Sequence, residues 1–128
     1  VVEEIRKHTD REIVYRPKHS WQYAKPLPGT TYSRPPRTLK EDLRNARVAV
    51  THGSNSCVEA ILSGIPVITL GPAIAAPICS SDLADISALK YPGDETRHQW
   101  LCAVAYSQYT TEEMAVGLAW KELKRWLQ

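Results

Sequence analysis

The chain has 128 residues, 43% of them hydrophobic and 23% charged, with a formal net charge of +2. That is one domain's worth of an ordinary globular composition, without the charge excess that marks a polyanion partner. No apolar run reaches the roughly 18 residues of a membrane span, and no basic-then-apolar leader is read at the start. The three cysteines are odd in number and lack C-x-x-C or zinc-like spacing. Free thiols and a reducing, cytoplasmic setting are therefore expected, with neither a disulfide framework nor a zinc site.

Val1, Val2 and Ile5 share one helical face, so the chain reads as starting inside a helix. The expectation is a fragment of a larger protein. Glu12 to Arg16 is a short β-rich run ended by Pro17. Residues 18–37 hold four more prolines and no periodicity, which predicts a long loop. Thr38 and Glu41 have capping-box spacing and predict a short helix to about Ala46. Arg47 to His52 reads as a buried strand, and Gly53, Ser54 and Asn55 as a tight turn. Ser56 and Glu59 suggest a second capping box on a helix that Gly64 closes. Pro66 to Leu70 is the third strand, and 71–95 is expected to be irregular.

This order predicts an α/β fold with one parallel sheet, flanking helices and a helical tail, all in a single domain over 1–128. Two helices form the tail. Trp100, Leu101, Val104 and Ala105 stripe the first, which Asp94 can cap. Thr110 and Glu113 suggest a third capping box. Val116, Ala119, Trp120, Leu123, Trp126 and Leu127 then fall at the spacing of a buried helix face.

The chemistry concentrates between Val48 and Leu70. In an open parallel sheet, ligands bind at the carboxyl ends of the strands. There Gly53 permits close approach, Ser54, Asn55 and Ser56 offer polar contacts, and the next helix presents free N–H groups. A phosphate suits such a turn. The plain alternative is that Ser56 and Glu59 only cap the helix and Gly53 only turns the chain. His52 reads either as a base or phosphate donor, or as a packed strand-end residue. Cys57 and Cys79 are expected near this site but carry no mark of an activated nucleophile, and Cys102 is expected in the core.

Charge is unevenly spread. Residues 13–40 hold six cations (Arg16, Lys18, Lys25, Arg34, Arg37, Lys40) and no acid, whereas 48–89 hold no Lys or Arg. A phosphate at the turn would need Arg16 and Lys18, expected on the same edge of the sheet. The remaining loop cations read as a solvated face.

Residues Val48 to Ile68, with His52-Gly53-Ser54 and Glu59-Ala60-Ile61 followed by Gly64-Ile65-Pro66-Val67-Ile68, resemble the strand–turn–helix signature of GT-B glycosyltransferases. The capsule-polysaccharide and phage-encoded members are the nearest in pattern. Ile13 to His19 resembles the strand with a basic ending in the same proteins, although Ser20 stands where a proline would follow. The tail from Trp100 to Ala115 resembles the end of phage proteins of this kind. The resemblance implies a Rossmann-like sheet, the nucleotide-sugar-binding half of a two-domain transferase, with its first strand and N-terminal half absent and the fragment inactive alone. It assigns donor phosphates to Arg16 and Lys18, the diphosphate to His52, Gly53, Ser54, Asn55 and Ser56, and the ribose or sugar to Glu59. The catalytic group is left unassigned. Without a D-x-D motif, no metal or other cofactor is expected beside the nucleotide sugar, and no nucleic-acid partner. UDP-sugar 2-epimerases share the architecture, and a non-catalytic binding module of the same fold is the other alternative. An uncovered sheet edge would offer a route to homo-oligomers.

Overall fold

The computed structural model describes residues 1–126. The chain falls into two compact units, Val1–Gly93 and Asp94–Gln128. The first is mixed α/β, and the second is helical among its described residues.

In the first unit, α1 (Val2–Arg6) is followed by β1 (Val14–Tyr15), β2 (Thr31–Tyr32), α2 (Leu39–Leu43), β3 (Ala49–Thr51), α3 (Ser56–Leu62) and β4 (Val67–Thr69). The three expected strands form, each shorter than its apolar run. They do not share one sheet. β1 pairs in parallel with β2, and β3 pairs in parallel with β4. β2 arises inside the segment expected to be loop, and it takes the partner position that β3 was to fill. Two short registers, Val14 with Thr31 and Tyr15 with Tyr32, define the pair. The Tyr15 and Tyr32 rings lie 5.9 Å apart, in the range of a favourable aromatic pair.

β3 and β4 carry the core. All three residues of β4 are buried. Its Val67 and Ile68 pack with Cys57, Ala60 and Ile61 of α3 among the most buried side chains of the chain. Ile68 also anchors a cluster with Ile5 and Ile86, flanked by Ile13, Val48, Val50 and Leu70. The far side of β4 is bonded too: Ile68 bridges Ser80, and the Thr69 N–H donates to the Ser80 carbonyl at 2.8 Å. Two 3₁₀ turns, Ala76–Ile78 and Leu83–Ser87, give order to the stretch expected to be irregular. A hydroxyl of Ser87 donates to the His8 carbonyl at 3.0 Å and holds the second turn against the end of α1.

The helix ends show which local signals were sufficient. Thr38 and Glu41 form the expected capping box on α2. α3 ends at Ser63, with Gly64 at φ +80°, Gly64 N–H donating to Ile61 and Ile65 N–H to Ala60. That is the double-bonded C-terminal cap only a left-handed residue completes. The box expected from Ser56 and Glu59 does not form. Asn55 occupies the N-cap position in helical backbone, without a side-chain cap bond, so Ser56 is already the first helical residue. Ser54 Oγ instead accepts from the Ser56 N–H at 3.3 Å.

β1, β2 and α2 are tied together by one carboxylate. Asp42 accepts from Arg16 Nη1 at 2.9 Å and from Ser33 Oγ at 2.5 Å, and it also pairs with Arg37. Its side chain is 7% exposed. Burial alone would raise its pKa. The hydrogen bonds from Ser33, Arg16 and Arg37 outweigh burial and hold it below the ordinary aspartate value.

In the second unit, α4 (Asp94–Tyr106), α5 (Thr111–Ala115) and α6 (Leu118–Leu123) follow in order, with a last 3₁₀ turn over Lys124–Trp126. Trp100 is buried, and the Thr110–Glu113 capping box opens α5 as expected. The continuous helix expected from Thr110 onward does not form. Gly117 adopts φ +79° and separates α5 from α6, which breaks the i, i+3, i+4 stripe. Val116 at 75% and Trp120 at 61% are exposed, as is Leu123. Leu127 and the side chain of Trp126, the last members of that stripe, lie outside the described residues. Cys102, expected in the core, is exposed as well. No helix among the described residues is long and apolar enough to cross a membrane.

Asp42→Ala removes the ion-pair partner of Arg16 and the acceptor of the buried Ser33 hydroxyl, and should cost about 2–3 kcal/mol in urea unfolding. Because the folded-state pKa of Asp42 is depressed, its contribution is present above the unfolded pKa of about 3.9 and is lost as pH falls through the folded value. Asp42→Asn should therefore flatten the acid limb of a stability–pH profile below about pH 4. Gly64→Ala meets no atom within 4 Å, so its cost is backbone strain alone. A loss of about 1–2 kcal/mol is expected in the same assay.

Candidate functional site

The carboxyl ends of β3 and β4 lie side by side because Ala49, Val50 and Thr51 register with Val67, Ile68 and Thr69. Each strand runs directly into a glycine-bearing turn, His52-Gly53 after β3 and Gly71-Pro72 after β4. These turns meet. The His52 ring lies over Gly71, where an added Cβ would be only 3.0 Å from Nε2. Gly53, at φ +62°, brings its Cα side to the Pro72 carbonyl, 3.5 Å from where a Cβ would stand. Beside them opens a cavity of about 470 Å³ lined by Thr69, Leu70, Gly71, Pro72, Ala76, Cys79 and Ser81. Thr51 Oγ1, at the end of β3, is buried and has no hydrogen-bond partner among the described residues.

The expected site residues divide into two groups. His52, Gly53, Ser54, Asn55 and Ser56 are contiguous on the turn and the first residue of α3, and Glu59 is exposed one turn further on. Ser54 and Ser56 are linked hydroxyl to hydroxyl at 2.8 Å. Arg16 and Lys18 follow β1, which belongs to the other sheet, so the common sheet edge expected for Arg16 and Ser54 does not form. Arg16 is already engaged: the same Nη1 that pairs with Asp42 donates to Ser33 Oγ at 2.9 Å. Lys18 is exposed and without an ion-pair partner among the described residues.

Apart from Cys79, which was expected near the site, the sequence reading missed the second wall of the cleft. Gly71-Pro72 directly after an apolar strand was the available signal, since such a dipeptide turns the chain where a strand ends. Cys79 lies in that wall. Burial, and then neighbouring Cys57, push its thiol up to about 11, so it stays protonated near neutrality and is a poor nucleophile. All three cysteines are free, as expected. No three His, Cys, Asp or Glu side chains gather into a metal-binding group among the described residues.

A second cavity of about 310 Å³ lies at the opposite, amino-terminal ends of the same strands. Ala46, Arg47, Gly64, Ile65, Pro66, Leu89, Lys90 and Tyr91 line it. The Tyr91 hydroxyl donates to the Ile61 carbonyl and fixes one side of it to α3.

Thiol accessibility gives a direct check on the site. At pH 7.5 a thiol-alkylating reagent should label Cys102 first, the partly buried and protonated Cys79 more slowly, and the buried Cys57 only on unfolding, as read by peptide mass spectrometry. The glycines should also separate. Gly53→Ala strains a left-handed backbone and should cost about 1–2 kcal/mol, whereas Gly71→Ala need only turn the exposed His52 ring aside and should cost under about 1 kcal/mol.

Compared with protein-family models, curated proteins and solved structures, the chain finds no significant match.

Proposed function

We propose that the chain binds a nucleotide-sugar donor, as the donor-binding part of a GT-B-like glycosyltransferase that moves the sugar to an acceptor hydroxyl. One observation carries this reading: the turns after two parallel strands, joined by a helical crossover, meet beside a cavity at the strands' carboxyl ends. A diphosphate bound at the His52–Ser56 turn, beside that cavity, would meet the hydroxyls of Ser54 and Ser56, the Asn55 amide and the His52 imidazole, none of which lines the cavity itself. Glu59 is the nearest carboxylate in sequence, and it suits a sugar or ribose hydroxyl. Arg16 serves the β1–β2–α2 knot instead. The cavity lining contains no carboxylate. That favours donor binding over the proton-transfer chemistry of a 2-epimerase, which needs acids in the cleft.

Differential scanning fluorimetry with a panel of UDP, CMP and their sugar conjugates tests the reading. A concentration-dependent rise in Tm with at least one nucleotide is expected. Ser54→Ala should weaken that ligand about two- to tenfold by titration, the effect of losing one neutral hydrogen bond. Arg16→Ala should lower Tm without changing the affinity. No shift with any nucleotide, or an Arg16 effect on affinity larger than that of Ser54, would overturn it.

A further inference from the structure

The modest net charge hides a separation. The six cations and no acids of residues 13–40 leave the remainder of the chain with ten cations and fourteen acids. Two of the six, Arg16 and Arg37, share the single carboxylate of Asp42, which offsets one of their two charges. The acids that border the segment are also engaged. Glu12 accepts from the Thr31 hydroxyl at 2.5 Å, and Glu41 accepts from the Thr38 N–H at 2.6 Å. Lys18, Lys25, Arg34 and Lys40 are exposed and have no ion-pair partner among the described residues.

Two aromatic side chains stand between the first two of these cations. Trp21 is 56% exposed and Tyr23 is 85% exposed. Leu27, with Pro26 and Pro28 around it, is exposed as well. The loop is held in shape. Trp21 N–H donates to Lys18 and Ala24 N–H to Trp21, giving two successive turns. The Tyr32 hydroxyl pins the Ala24 carbonyl at 2.9 Å, and Arg6 pins the Gly29 carbonyl at 2.9 Å. Both aromatics are therefore held outward by a loop tied to β2 and α1. Leaving such surface in water is unfavourable unless something covers it.

We propose that the loop 18–28 is a docking surface for an anionic lipid membrane. Trp and Tyr are amphipathic rings suited to the headgroup layer, and basic side chains around them are drawn to an anionic leaflet. The loop presents its aromatics on outward turns, and its residues line neither of the two cavities described above. A flat partner fits that shape. A nucleic-acid strand would call for a basic groove with its aromatics set inside.

Co-sedimentation of the intact chain with vesicles tests this. Binding is expected to phosphatidylserine-rich vesicles, to weaken as salt rises, and to be absent with phosphatidylcholine alone. Each basic side chain near the surface strengthens attachment about fivefold, so Lys18→Glu with Lys25→Glu should reduce it by at least about 25-fold. Trp21→Ala with Tyr23→Ala should reduce it by about tenfold or more. Lys121→Glu with Lys124→Glu, in the other unit, should leave it unchanged. The salt and lipid dependence of the unmodified chain stands even if a variant misfolds. Equal binding to both vesicle types, binding to neither, or unchanged binding of both loop variants overturns the proposal. Tighter binding to a single-stranded oligonucleotide, lost with the same substitutions, also overturns it and assigns the loop to nucleic acid.

Discussion

The first unit is organised by β4, a three-residue strand bonded along both edges. β3 lies on one side and Ser80 on the other. A strand so short has little stability of its own, since an isolated pair of strands is marginal in water. What holds it is burial: Val67, Ile68 and Thr69 are all removed from solvent. Once β4 is fixed, α3 must cross back over it, and the ends of β3 and β4 must lie together. The cleft at those ends is a result of that packing.

A different kind of interaction orders the other half of the unit. Around Asp42, polar groups replace the apolar contacts found at β4. One buried carboxylate gathers two guanidinium groups and a buried serine from three elements. Such a knot specifies geometry more than it adds net stability, because the cost of desolvating the charges offsets much of their attraction. It also decides what the neighbouring cations are free to do. Arg16 is withdrawn from ligand binding, while Lys18 and Lys25, which have no such partner, stay available.

The local signals in the sequence were good guides where one residue type meets one backbone demand. Thr38 with Glu41, Thr110 with Glu113, and Gly64 all did what their chemistry requires. The apolar runs located β1, β3 and β4. The errors arose where tertiary pairing competes with pattern. Thr31 and Tyr32 are only two residues long, too short to read as a strand, yet they took the edge of β1. The tail stripe obeyed helical spacing on paper, but Gly117 turned left-handed in its middle. Ser56 had the right spacing from Glu59 for a cap and sat one residue too late for it. For the candidate site, the turn at His52–Ser56 was legible because it follows its strand directly. The facing wall at Gly71–Ser81 was hidden because its placement depends on the bridge between Ile68 and Ser80, a contact no periodicity encodes.

The β1–β2 pair is parallel yet joined by a loop with no crossover helix. Parallel neighbours need a long return path, and here that path is fifteen residues of turns and prolines, 16–30. Closing such a loop costs chain entropy that two registers of pairing cannot offset alone. The difference is met at a distance by Arg6 on Gly29, Tyr32 on Ala24 and the Asp42 knot. The pair is thus a conditional element whose opening free energy is set by remote anchors. In native-state hydrogen exchange, the Thr31 and Ser33 amides that bond to Ile13 and Tyr15 would report those anchors letting go, well before the β4 amides report unfolding of the core.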